Sequence, residues 1–129
     1  MNNLFEGFTV IHSYTRADML ADGSLVDVSR LAKEAGIKIP VAVTRAVWDG
    51  YIVPDEKAKA MGESEDGRLW DCLWMFRLAI AGQRGWRVFF EFLATLDGQH
   101  EKISLKAICG PGDNAEPVIT IMLLNEDED

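Results

Sequence analysis

The hydrophobic repeat changes period once along this chain, and that change limits the folds open to it. From Asp66 to Gly82 apolar residues recur at helical spacing, with Leu69, Leu73, Phe76 and Ile80 on one stripe and Trp70, Trp74 and Ala81 beside it. After Val88 the period falls to two. Val88-Phe89-Phe90-Glu91-Phe92-Leu93 reads as a strand, Asp97-Gly98 as a hairpin turn, and Ile103, Leu105 and Ala107 alternate with Lys102, Ser104 and Lys106. A connection through Gly110-Pro111-Gly112-Asp113 leads to a third strand, Val118 to Leu124. These signals predict an α+β domain in which a long core helix packs on a C-terminal three-stranded antiparallel meander. Apolar residues on both faces of the first and third strands call for cover on both sides of the sheet.

The first half is built of shorter pieces. Phe8 to His12 reads as a strand, and Thr15 caps a helix from Arg16 to Ala21, with Asp18 completing a capping box and Gly23 ending it. Leu25-Val26-Asp27-Val28 reads as a second strand, and Ser29 as the cap of a helix from Arg30 to Ala35 that stops at Gly36. The N-terminal segment is thus β-α-β-α. After Pro40 the residues Val41 to Val53 admit either strand or helix, with a Thr44-capped helix favoured. Pro54 to Asp66 is the most loop-like stretch.

At 129 residues one domain is expected, here 1–125, followed by an acidic tail, 126–129, read as a frayed solubilising end. The net charge of −8, half of it in that tail, argues against direct nucleic-acid binding, since no basic stripe with interleaved aromatics is present. A DNA-mimic inhibitor is the acidic alternative. No apolar run is long enough for a membrane span, and no signal-peptide pattern opens the chain, so a cytoplasmic location is expected, with no membrane partner. Cys72 and Cys109 lack metal-site spacing and are expected as two reduced, half-buried thiols.

Three stretches together carry a resemblance. They are Val10-Ile11-His12-Ser13-Tyr14-Thr15-Arg16-Ala17-Asp18 running on to Val28, then Gly67-Arg68-Leu69-Trp70-Asp71, and finally Leu105 to Asp113 with Glu116-Pro117-Val118-Ile119-Thr120-Ile121-Met122. They resemble an uncharacterised family of small bacterial proteins carried on plasmids and other mobile elements. The resemblance implies a gene context and supplies no catalytic residue.

Five residues are candidates for ligand binding: His12, Tyr14, Arg16, Arg77 and Glu116. The segment from His12 to Leu25 resembles the opening of ADP-ribosyltransferase folds. That resemblance implies that His12 holds a nicotinamide ribose, Tyr14 stacks on a ring and Glu116 serves as a late carboxylate. A histidine bonded to nearby backbone, with Tyr14 packed over the helix, accounts for the same residues. Arg77 falls among Leu69, Trp70, Leu73, Trp74 and Ile80, so an ion pair with a carboxylate such as Asp27 or Glu91 is expected, or an aliphatic stem snorkelling to the helix edge, or else an anion pocket walled by the indoles. Gly110 to Asp113 lacks the lysine and following helix of a phosphate loop, and Asp55, Glu56, Glu63, Glu65 and Asp66 read as solvated loop charges rather than metal ligands. No cofactor, no metal and no catalysis are expected, and the function read from these residues is that of an accessory or interaction protein with a protein partner.

Overall fold

Why each element starts where it does can be followed from the caps. The computed structural model describes residues 14–128; the strand read at Phe8 to His12, and His12 itself, lie outside the described residues. Helix α1, Arg16–Asp22, opens with the expected capping box between Thr15 and Asp18 and closes on Gly23 at φ 86°. Strand β1, Leu25–Asp27, follows, and then α2, Ser29–Glu34. Ser29 is not the cap of α2. Its hydroxyl donates to Asp27 Oδ1 at 2.6 Å and accepts from Val41 N at 3.0 Å, so it bridges two neighbouring chain segments instead.

Val41 to Val53 contains both structures that the sequence left open. Strand β2, Val41–Thr44, has its first three residues buried, and Thr44 then caps a single turn, α3, Arg45–Val47, by accepting from Val47 N at 3.3 Å. A π-helical turn, Trp48–Ile52, continues it. The stretch read as loop holds a further short helix, α4, Glu56–Ala60, capped by Asp55. Ser64 then caps α5, Glu65–Ile80, by accepting from Gly67 N at 3.0 Å. The meander is β3, Arg87–Leu96, β4, Gln99–Pro111, and β5, Pro117–Leu123. Between β3 and β4 the turn residues Asp97 and Gly98 both have positive φ, 49° and 81°, as a two-residue turn matching the strand twist requires.

The five strands form one sheet in the order β1-β2-β5-β4-β3. The β2–β5 pair is parallel, with Val41 opposite Ile119, and the other pairs are antiparallel. The sheet is therefore larger than the expected meander: β5 is an interior strand, joined on its second side by β2. This placement explains its near-continuous apolar run.

Helix α5 covers one face, setting Leu69, Leu73 and Phe76 against Phe90, Phe92 and Leu105 in the core. The Phe76 and Phe90 rings lie 5.5 Å apart. Each fully buried side chain of this kind contributes about 1.5–3 kcal/mol. The expected stripe is displaced at its C-terminal end, where Ile80 is exposed. On the opposite face α1 lies against β5: the Arg16 guanidinium donates to Thr120 Oγ1 at 2.6 Å and to the Ile119 carbonyl at 2.9 Å.

The acidic segment after β5 is fastened down, not frayed, through residue 128. Glu126 accepts from Thr44 Oγ1 at 2.9 Å, and its carbonyl accepts from Lys106 Nζ at 2.8 Å. Glu128 pairs with Arg87 at 2.6 Å and with Lys106 at 3.0 Å. Hydrogen bonds from Arg87 and then Lys106 hold its carboxyl below the ordinary glutamate value.

The two cysteines also differ from expectation. Cys72 is buried and Cys109 exposed, and burial pushes the Cys72 thiol far up from its usual pKa. A thiolate-specific reagent should therefore label Cys109 alone in the folded protein and both cysteines in denaturant. Equal labelling of the two under native conditions would contradict the packing of α5.

Candidate functional site

Among the described residues strand β3 is an edge strand, paired on one side only, with β4. Its odd-numbered residues direct their N–H and C=O groups away from β4, toward the open side. At two of these positions side chains satisfy both groups. Phe89 N donates to Gln83 Oε1 at 2.8 Å, and Gln83 Nε2 donates to the Phe89 carbonyl at 2.6 Å, so one amide side chain replaces a paired strand. Thr95 N donates to Glu63 Oε1 at 3.4 Å, and the Thr95 carbonyl accepts from Arg68.

Arg68 rises from the first turns of α5 and is only 2% exposed. Besides Thr95 it donates to Glu63 Oε1 at 2.9 Å and to the Tyr51 carbonyl at 3.0 Å. The guanidinium thus joins α5, the π turn and the sheet edge. Burial raises the Glu63 carboxyl, but hydrogen bonds from Thr95 and Arg68 outweigh it and leave its pKa below the ordinary value. Glu63 is accordingly half-buried and paired, not the solvated loop charge that the sequence implied.

Between these two ends, Glu91 and Leu93 have no hydrogen-bond partner for their outward backbone groups among the described residues. Beside them α5 and the edge enclose a groove of about 440 Å³, lined by Asp71, Trp74, Met75, Glu91, Leu93 and Lys102. A second hollow, about 570 Å³, continues past Trp70 to Arg68 and Thr95. Trp70 and Trp74 stack with ring centroids 6.0 Å apart and remain partly exposed. Leu93, at 61%, Phe89, Met75 and Leu78 are exposed as well. These exposed apolar side chains stand beside strand backbone that has no partner among the described residues. Burial, and then the nearby Glu63 charge, raise the pKa of Asp71.

The residues singled out from sequence lie elsewhere. Tyr14 is exposed; its hydroxyl bonds to Asp22 and lies 2.9 Å from Ser24 Oγ, which ties the entry of α1 to its exit. Arg16 is committed to β5, while its backbone N and that of Ala17 donate to Asp113 in the β4–β5 connection, at 2.8 and 3.0 Å. Glu116 belongs to the same connection, accepting from Asn114 N at 2.9 Å. Arg77 corrects the expected helix register: it is exposed, its guanidinium carbon lies 5.7 Å from the Trp74 ring centroid, and its stem crosses close over Gly36. Arg16 and Glu116 therefore meet at one loop, whereas Tyr14 and Arg77 share no hydrogen-bonding or stacking partner among the described residues.

The buried arginine of α5 is Arg68. A signal for it was present, since Arg68, Cys72 and Phe76 are spaced by four and share one helical face. No pattern in the sequence marks which strand of the meander lies at the edge.

Residues 1–128 match the family described as "Family of unknown function (DUF6573)". The chain belongs to DUF6573. No curated protein and no solved structure matches this DUF6573 chain.

Three outcomes follow from the geometry. In this DUF6573 member Arg68→Ala should lower unfolding stability by about 3–5 kcal/mol, because Glu63 and the Tyr51, Val53 and Thr95 carbonyls lose a buried partner. Arg77→Ala should cost about 1 kcal/mol or less, the scale of an exposed contact between a cation and a ring. Chemical denaturation of both variants checks the order. Because the Glu63 pKa is depressed on folding, its contribution is complete above the unfolded glutamate value, about 4.3, and is lost as pH falls through the folded value. Glu63→Gln should therefore flatten the acid limb of the stability curve and leave its shape near neutrality unchanged.

Proposed function

We propose that this protein is a non-enzymatic accessory protein of a bacterial mobile element, and that it acts by holding a segment of a partner protein in the groove between α5 and the edge of β3. The observation that supports this reading is the stretch of strand backbone at Glu91 and Leu93 that has no partner among the described residues, beside the exposed Trp74, Met75 and Leu93 side chains. The mobile-element context rests on the sequence resemblance alone.

Two competing readings have less support. For a nucleotide or other small-ligand site, the side chains of Tyr14, Arg16 and Glu116 are already engaged in local hydrogen bonds, which leaves few polar groups to converge on a ligand. For a DNA mimic, Glu126 and Glu128 are drawn into contacts with Thr44, Arg87 and Lys106, which reduces the free carboxylate density. Direct contact with nucleic acid is disfavoured by the charge of −8.

Peptide-library selection on the immobilised protein tests the reading. Enriched peptides should lose binding to a Trp74→Ala, Met75→Ser double variant whose melting temperature is retained, and should keep it with Arg16→Gln. The opposite pattern would overturn the groove. Stabilisation by nucleotides, including NAD, that survives the groove substitutions would favour a small-ligand site.

A further inference from the structure

We infer that the groove takes its partner as an added β-strand, an extended apolar segment bearing a cationic residue placed opposite Glu91. This rests on the proposed function and names the chemistry of the occupant.

The length of the free edge comes first. Gln83 closes it at Phe89, and the Glu63 and Arg68 side chains close it at Thr95. These positions are six steps of extended chain apart, about 20 Å. Within that window the outward N–H and C=O of Glu91 and of Leu93 have no partner among the described residues, so an antiparallel segment exchanges hydrogen bonds with both residues and is stopped at either end by the capping side chains. The edge is left open over a defined length, as in peptide recognition by strand addition.

Alternation then assigns the faces. Partner residues opposite Glu91 and Leu93 lie on the sheet face that those side chains share with Ser104 and Lys102. The partner residue between them lies on the helix side, against Trp74 and Met75, and is apolar. Directly opposed side chains interact most strongly across a strand pair, and opposite charges are favoured there. Glu91 carries no ion pair among the described residues, and neither does Asp71 across the groove. Lys102 stands beside Leu93, which disfavours a second cation opposite Leu93.

A second copy of this chain fits less well. Pairing about Phe92 sets Glu91 against Leu93 of the other copy, pairing about Glu91 sets like charges against each other, and each copy brings a net charge of −8.

The test uses labelled peptides of about six residues, the length of an average strand, made of valine and threonine around one central lysine. Fluorescence anisotropy compares this peptide with one carrying glutamate in place of lysine, and with a version of the lysine peptide methylated on its backbone nitrogens. The lysine peptide is expected to bind about tenfold tighter than the glutamate peptide, and Glu91→Lys to reverse that order. Leu93→Pro removes an outward N–H without touching the ladder to β4, so it should abolish binding while the fold is kept. Backbone methylation of the peptide removes the same hydrogen bonds without altering the protein, and should have the same effect. Gln83→Ala frees Phe89 and should tighten binding.

Unchanged affinity for the methylated peptide, or a lysine preference that survives Glu91→Lys, would overturn the inference. So would a wild-type dimer in sedimentation that dissociates in Leu93→Pro, which would name a second copy as the occupant. Library peptides that depend on the groove but show no cationic residue would overturn the inference and leave the proposed function standing. Absence of any groove-dependent peptide would overturn both.

Discussion

The Arg68 guanidinium is the tie on which the arrangement of the second half depends. Helix α5 carries its core side chains on one face, but apolar packing alone does not fix how far the helix slides along the sheet. Arg68 does so, because its donors reach fixed carbonyls at Tyr51 and Thr95 while Glu63 holds its charge. A planar fork of donors suits this task better than an ammonium group would. Charges so deeply buried require complete pairing, and the described structure leaves no buried side-chain nitrogen or oxygen without a partner. The same contacts satisfy the backbone of Thr95, so registration of the helix and closure of the sheet edge arise from one cluster.

Sequence periodicity made the α+β class, α5 and the β3–β4–β5 meander legible, because amphipathic helices and alternating strands record their burial directly in residue order. Caps were legible for the same local reason: Thr15 with Asp18, and Gly23, act within a few residues of themselves. Ser29 misled because its hydroxyl was claimed by Val41, a partner twelve positions away. The pairing of β2 with β5 was out of reach, since a parallel ladder between Val41 and Ile119 leaves no local trace beyond an apolar run. Arg77 and Arg68 both sit near the apolar stripe, and a rotation of the assumed helix face was enough to exchange the buried one for the exposed one. The groove was illegible for a related reason. Phe89 and Leu93 look like core residues of an alternating strand until the strand is known to lie at the edge.

Edge strands in single domains are commonly blocked by charge, by bulges or by covering elements. Here the blocking is partial and made by side chains: an amide at one end, an ion pair at the other. Such caps cost little rearrangement and leave the strand itself straight and fully paired to β4. The exposed apolar residues at this edge, Leu93 and Trp74 among them, are therefore carried by the sheet and a core helix rather than by a loop.

The position of β5 has a consequence for biogenesis. Synthesis proceeds from the N-terminus, and β5 is made after every strand it lies between. Until Pro117–Leu123 has left the ribosome, the β1–β2 pair and the β3–β4 hairpin share no ladder among the described residues, and β2 lacks its β5 partner in the nascent chain. The sheet becomes continuous only when the last strand inserts between them, joining residues as distant as Val41 and Ile119. Contacts of such separation make closure slow relative to local helix formation. The nascent N-terminal half thus has a period of exposure that ends only with the insertion of a single heptapeptide.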